Sequence, residues 1–310
     1  MLVLEHLRKE YKTLVAVSDL SFKLEAGDIF GFIGPNGAGK TTTIRMLATL
    51  LAPTAGTALV DGIDITRFPE EVRSLIGYMP DFFGVYDDVK VWEYLDFFAA
   101  AYKIPRAQRP KVIDDVLELT DLTVKKDSYV EELSRGMKQR LCLAKTLVHD
   151  PKLLLLDEPA SGLDPRARIE LKELLKELRA MGKTILISSH ILPELADFCN
   201  KIGIMERGNL MLFGGVEEIL AQMNGGQGLE IRLAAGDDVG RAADILLAIA
   251  GITQVNREER LLRITFDRGM VEQHAMLKAL VAADFRVESC TECRLDLEDI
   301  FMNVTEGAVQ

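Results

Sequence analysis

Cysteine is scarce. Four in 310 residues exclude a disulfide scaffold in a chain this long. Cys142 and Cys199 lie in apolar, helical-looking stretches and read as small core residues. Cys290 and Cys293 form a lone C-x-x-C with no second pair at metal spacing, so zinc or redox chemistry is not indicated. Long apolar runs are missing too: no stretch nears the roughly 18 consecutive apolar residues of a membrane-spanning helix. The opening residues Met1 to Lys12 are charged where a signal peptide carries its apolar core. A protein that stays in the cytoplasm is the expectation. Positive charge is also short, with 37 Lys and Arg against 48 Asp and Glu and a formal net charge of -11. That speaks against a nucleic-acid partner, since phosphate contacts need a basic face. What remains is globular material, 48% hydrophobic and 27% charged. Its length suggests two domains at about 100–200 residues each.

From Met1 to about Met223, short β-rich runs alternate with helical segments. Strands are expected over Asp28 to Ile33, Thr57 to Val60, Leu153 to Leu156 and Thr184 to Ser188. The last two are continuous apolar runs, as suits strands covered by helices on both faces of a mostly parallel sheet. Between them Leu171, Leu174, Leu175 and Leu178 repeat at helical spacing from Arg166 to Met181, and Gly182 ends the pattern as a C-cap. The fold class is therefore α/β. About 91–147 breaks the rhythm and reads as three helices in a row, a helical subdomain. Asn224 to Gly228, rich in glycine, reads as a linker. Beyond it the pattern is strand (Leu229, Ile231, Leu233), helix (Val239 to Ala250), strands (Val255; Leu261 to Phe266), helix (Met270 to Ala283), strand (Phe285 to Ser289) and a last short helix (Asp296 to Val304). That order predicts a small α+β, ferredoxin-like C-terminal domain over 229–310, after a first domain over 1–223.

Gly34, Pro35, Asn36, Gly37, Ala38, Gly39, Lys40 and Thr41 fit G-x-x-x-x-G-K-[ST] in full. The motif follows the apolar run Ile29 to Ile33 and opens an amphipathic helix from about Lys40 to Leu50, the context that a phosphate loop requires. Its glycines leave backbone N–H groups bare at a helix N-terminus, where anionic oxygens settle. Lys40 reaches terminal phosphates, Thr41 is placed to ligate Mg²⁺, and Thr42 completes the nucleotide-binding set. The buried run Leu153 to Leu156 then ends in Asp157 and Glu158, at the strand end where α/β proteins place ligands. Asp157 would hold Mg²⁺. Glu158 would orient an attacking water, since phosphoryl transfer needs a positioned nucleophile more than a strong base. Alone, two acids at a strand end are an ordinary solvated terminus; the phosphate loop gives them their meaning.

Leu133, Ser134, Arg135, Gly136, Met137, Lys138, Gln139 and Arg140 follow, then Ser161 to Asp164, then His190 just past a buried strand. In that order and spacing, the set resembles the nucleotide-binding subunit of ATP-binding cassette transporters, over Met1 to about Met223. The resemblance implies a P-loop NTPase fold with a mostly parallel sheet, an antiparallel N-terminal β portion and the helical subdomain. It implies ATP and Mg²⁺ as ligands and ATP hydrolysis that drives transport through separate membrane permease subunits. The chain would then lie on the cytoplasmic face of the membrane, as a homodimer or paired with a paralogous ATPase.

By the same resemblance Tyr11 stacks on adenine, although a strand-edge aromatic would look the same. Ser134 and Gly136 grip the γ-phosphate bound to the other subunit, although Ser134 is equally a plain N-cap. Asp164 connects the two sites, and His190 is the switch histidine at the γ-phosphate. Glu158, His190 and Lys40 form the catalytic set; Thr41, Asp157 and Asp81 face the metal. Two departures stand out. The family's LSGGQ has Arg135 for its first glycine and Met137 for its glutamine, and Gly77 to Asp81 ends in aspartate where the family has glutamine. Phe82, Phe83, Val85 and Tyr86 are candidates to receive the permease, and local core is the alternative. The tail from Leu297 to Phe301 is similar to those of subunits serving exporters. A soluble cassette acting on ribosomes or DNA is the alternative; such relatives carry two cassettes or a long coiled coil, and this chain has neither.

Overall fold

The computed structural model describes residues 1–293 apart from 83, 85, 86, 192–194, 196, 197, 217, 220–225 and 268. These fall into two compact units, within Met1–Val216 and within Glu217–Asn303. The last predicted helix, the Leu297 to Phe301 tail and the side chain of Cys293 lie outside the described residues. No helix among those described is long and apolar enough to cross a membrane.

Two sheets build the first unit. Strands β1 (Leu2–Tyr11), β2 (Leu14–Leu24), β4 (Ala55–Val60) and β5 (Ile63–Asp64) form an antiparallel sheet in the order β2-β1-β4-β5. The second sheet runs β10-β9-β3-β8-β7-β6, from β3 (Ile29–Ile33), β6 (Ile76–Met79), β7 (Leu153–Leu156), β8 (Thr184–Ser189), β9 (Lys201–Glu206) and β10 (Asn209–Gly215). All of its pairs are parallel except β9 with β10. Every residue of β3, β7 and β8 is buried, which is why these strands read as unbroken apolar runs rather than alternating ones. Alternate residues of β1 and β2 (Leu2, Leu4, Leu20, Phe22, Leu24) share one core with Phe30, Phe32, Leu155 and Leu186. Helix α1 (Lys40–Leu47) adds Ile44, Met46 and Leu47 to it. Each such side chain contributes about 1.5–3 kcal/mol on burial.

Helix α2 (Pro69–Leu75) leads into β6. The helical segment is α3 (Val91–Ala101), α4 (Arg109–Leu119) and α5 (Arg135–Leu147), as the interrupted pattern predicts. Helix α6 (Pro165–Ala180) begins at an Asp164 cap and is followed by Gly182 at φ 86°, the left-handed stop that glycine supplies. Helix α1 is shorter than expected. Thr49 takes φ 59° and the Leu50 N–H turns back to the Arg45 carbonyl, so the helix closes at Leu47 despite apolar Leu50 and Leu51.

In the second unit, β11 (Gly226–Leu233), α7 (Val239–Leu247), β12 (Ile252–Glu258), β13 (Leu261–Asp267), α8 (Gln273–Ala282) and β14 (Val287–Cys293) follow in sequence. The sheet order is β12-β13-β11-β14, antiparallel throughout. Leu229, Ile231 and Leu233 face Ala242, Leu246, Met276 and Leu280 in its core. Two expectations need correction. Gly226 to Gly228 is strand rather than linker, because it pairs with Asp267 to Thr265. The last strand runs on to Cys293 because β11 pairs with it that far, while Phe285 precedes it as a buried core residue.

Candidate active site

The parallel register brings the C-terminal ends of β3, β7 and β8 to one edge of the sheet, the side on which such sheets bind ligands. The loop after β3 is Gly34 to Gly39, the residues after β7 are Asp157 and Glu158, and His190 follows β8. Gly39 ends the loop at φ 107°, and a Cβ there would lie 2.4 Å from the Ala16 carbonyl oxygen, so only glycine fits. Asn36 and Gly37 are exposed, Pro35 is partly so, and Ala38 is buried. Thr41 and Thr42 are half-buried in the first turn of α1.

Lys40 is 5% exposed. Its Nζ donates to the Gly34 carbonyl at 2.6 Å and to the Pro35 carbonyl at 3.2 Å, and lies 3.5 Å from Glu158 Oε1. Burial lowers the pKa of this ammonium, against the pull of Glu158 and Asp157. Asp157 is fully buried. Its Oδ1 accepts from the Thr41 hydroxyl at 3.1 Å and the Ser188 hydroxyl at 2.8 Å; its buried Oδ2 has no hydrogen-bond partner among the described residues. Burial pushes the Asp157 carboxyl above the usual range, the charges of Asp81 and Glu158 push the same way, and the two hydroxyls oppose them. A buried carboxylate with one oxygen unanswered is costly unless a cation completes it. With Thr41 beside it, the donor set is the all-oxygen kind that magnesium takes.

Glu158 sits at φ 50°, left-handed backbone that a non-glycine residue adopts at a cost. It is pinned there by its N–H donating to Ser188 Oγ at 2.9 Å. Its Oε2 lies 2.8 Å from Nδ1 of His190, whose side chain is 43% exposed. One carboxylate thus touches the buried lysine with one oxygen and the exposed imidazole with the other. Ser188, which holds both acids, escaped the sequence reading; its signal was a hydroxyl inside a buried apolar strand. Asp81 is exposed in the loop after β6, where its Oδ1 accepts the Phe82 N–H at 2.8 Å.

Three of the expected residues lie in a different cluster. Ser134 is the exposed N-cap of α5, its Oγ accepting the Met137 N–H at 3.3 Å. Asp164 Oδ1 accepts the N–H groups of Arg166 and Ala167, each at 3.0 Å, at the start of α6. Gly136 faces Leu163 and Ala167 of that same region. Tyr11 ends β1, is 43% exposed, and has the Lys9 ammonium 5.3 Å from its ring centre. Phe82 is 82% exposed; Phe83, Val85 and Tyr86 lie outside the described residues. Cys142 and Cys199 are buried, and burial pushes the Cys199 thiol far up, which suits inert core residues.

A glycine loop between a buried strand and a helix, a buried lysine within it, and two acids at the same edge one strand further along define a P-loop NTPase. The family model described as ABC transporter matches residues 17–161. Nod factor export ATP-binding protein I of Paraburkholderia xenovorans is 37% identical over 99% of this chain and 97% of its own. The linearmycin resistance ATP-binding protein LnrL of Bacillus subtilis is 29% identical over 98% of each. Among solved structures, an ATP-binding subunit of an ABC transporter superposes with a TM-score of 0.66 at 30% identity, over 72% of this chain and 93% of that one. The chain belongs to the ATP-binding family of ABC transporters, and it is an ATP-hydrolysing ATPase.

Proposed function

We propose that this ATPase is the motor of an exporter and that two copies, or one copy and a paralogue, close head to tail around two ATP molecules. In this reading Gly34 to Thr42 cradle the phosphates of one nucleotide, Lys40 turns from its loop carbonyls to the terminal phosphate, and Tyr11 stacks on the base. Ser134 and Gly136 of the other copy cap the same γ-phosphate with a hydroxyl and bare N–H groups, and Asp164 links the two sites. Thr41, Asp157 and Asp81 would hold Mg²⁺, which when bound neutralises charge on the phosphate oxygens. Glu158 orients the attacking water through one carboxylate oxygen while His190 steadies the other and senses the γ-phosphate. Loss of that phosphate releases both clamps and opens the pair, a ligand-driven shift between two states.

The observation that carries the reading is the Oδ2 of buried Asp157, without a hydrogen-bond partner among the described residues, beside Thr41 at the mouth of the phosphate loop. The chain has no membrane-crossing helix among its described residues, so the work would pass to separate permease subunits at the cytoplasmic face, received near exposed Phe82. Export rests on the two relatives named for export and for resistance. The expected division, an ATPase domain over 1–223 and a ferredoxin-like accessory domain over 229–310, is kept with the second domain taken from the start of β11 at Gly226, and its β12-β13-β11-β14 order supports the ferredoxin-like reading.

Glu158→Gln tests the mechanism. It keeps a side-chain oxygen near His190 but removes the charge. Turnover should fall by about 10²–10⁴-fold, ATP should still bind, and the variant should accumulate as an ATP-bound dimer in size-exclusion chromatography. A monomeric, fully active variant defeats the reading.

A further inference from the structure

Helices α5 and α6 face one another across a cleft of about 670 Å³, walled by Leu119, Leu143, Leu163 and Leu174. Apolar packing does not fill that space. Two arginines of α5 cross to the other side instead. Arg140 pairs with Glu170 of α6 while also holding Asp121 at 2.9 Å. Arg135, at the very start of α5, reaches the loop that leads into α6: its Nη2 lies 3.5 Å from the Ser161 carbonyl. Its guanidinium also lies against Gly162. A Cβ at 162 would sit 2.3, 2.5 and 2.7 Å from Nη2, Cζ and Nη1, and Gly162 has φ 70°. The left-handed backbone favours glycine there, and any Cβ would displace the guanidinium from its place over the loop.

This contact is not explained by stability. A cation in the first turn of a helix opposes the helix dipole. No carboxylate pairs with Arg135 among the described residues, whereas Arg140 has two. Other links fix the far side of the same loop, since Asp164 caps α6 and Arg168 Nε donates to the Leu163 carbonyl at 3.1 Å. The stretch from Ser161 to Asp164 is therefore held by α6 on one side and, on the other, by the Ser161 N–H donating to the Glu158 carbonyl at 3.0 Å and by the Arg135 guanidinium.

We propose that Arg135, in place of the family's glycine, is a positioning residue that ties the tip of α5 to the Ser161–Asp164 loop of its own chain. Ser134 and Gly136 flank it, so a nucleotide gripped by that tip pulls on the loop in the same step. The inference rests on the head-to-tail reading above. It acts through another element and touches no substrate.

The test is steady-state ATPase kinetics on the full chain with Arg135→Gly, Arg135→Gln and Arg135→Lys. Each should lower kcat about tenfold with KM for ATP within twofold. Lysine should not rescue, because a single ammonium cannot both reach the Ser161 carbonyl and cover Gly162 as a guanidinium does. The glutamine variant keeps helix propensity should the glycine variant fail to fold. Combined with Glu158→Gln, each substitution should still give the ATP-bound dimer. If KM rises while lysine restores activity, Arg135 acts as a point charge on the nucleotide and the proposal is overturned. Unchanged kcat in all three variants overturns it as well. If Glu158→Gln alone fails to dimerise, the head-to-tail reading falls first and takes this inference with it; if it dimerises, a failure belongs to Arg135 alone.

Discussion

The two halves of the nucleotide machinery are built in opposite ways. At the ends of β3, β7 and β8, Lys40 and Asp157 are buried, share hydrogen bonds with loop carbonyls and hydroxyls, and carry charges that burial disfavours. At the tip of α5, Ser134 is exposed and its hydroxyl merely caps its own helix. The first half bears an electrostatic cost before any ligand arrives, which is how a site is made ready for phosphate and cation. The second bears almost none, because a second molecule must complete it. The strained half is therefore where ligand stabilises the fold, and the relaxed half is where it assembles the pair.

Asp157→Asn is the sharpest way to break that contrast. Asparagine keeps an oxygen for Thr41 and Ser188 and drops the buried charge. The sign follows from the upward shift of this carboxyl. The folded chain holds that proton more tightly than the unfolded chain, so the carboxylate costs stability as pH rises from its ordinary value near 4 through its raised folded-state value. Turnover should fall by about 10²–10⁴-fold, the largest effect expected here. The nucleotide-free protein should nevertheless melt higher, by about 2–4 °C for each 1 kcal/mol gained. A lower Tm by scanning calorimetry at pH 7.5 would mean the carboxylate is not strained at rest, and the comparison would fail.

The same contrast explains what was legible beforehand. Backbone-driven features announce themselves in sequence: the glycine loop, the apolar strands, and the acids directly after one of them all depend on local spacing. Ser188 and Arg135 depend on register instead. Ser188 reaches Asp157 only because β8 lies beside β7 with Leu156 opposite Ile187, a pairing between residues 31 apart. Arg135 meets Gly162 only once α5 and α6 stand across their cleft. Thr49 shows the converse limit, where an apolar pattern continues but one left-handed residue stops the helix. In the second unit the alternation of Leu229, Ile231 and Leu233 was plain, whereas the strand role of Gly226 to Gly228 came only from pairing with β13.

A smaller effect is expected at the relaxed half. Ser134→Ala removes both the cap to Met137 and the hydroxyl offered to a second copy. Loss of the cap should cost about 1 kcal/mol of stability. Ser134→Gly separates the two roles, since glycine caps within a few tenths of a kcal/mol of serine but offers no hydroxyl. Its Tm should stay near that of the unchanged protein while turnover drops about tenfold and ATP-dependent dimerisation weakens in analytical ultracentrifugation. Native turnover in Ser134→Gly would reduce Ser134 to a helix cap.

Asp81→Gln should do least, and it tests where the strained half ends. Asp81 is exposed and its side-chain oxygen already serves the Phe82 N–H, which a glutamine oxygen can also accept. Its charge acts on Asp157 only at a distance, adding to the upward push on that carboxyl. Removing it relieves a like-charge repulsion without disturbing the hydrogen bonds that place Asp157 or Glu158. Turnover should stay within about tenfold, no more than about 1.4 kcal/mol on the barrier. A collapse of turnover in steady-state assays would instead give the Asp81 carboxylate a distinct role that a neutral glutamine oxygen cannot take over, with the buried half of the machinery reaching out to the loop after β6.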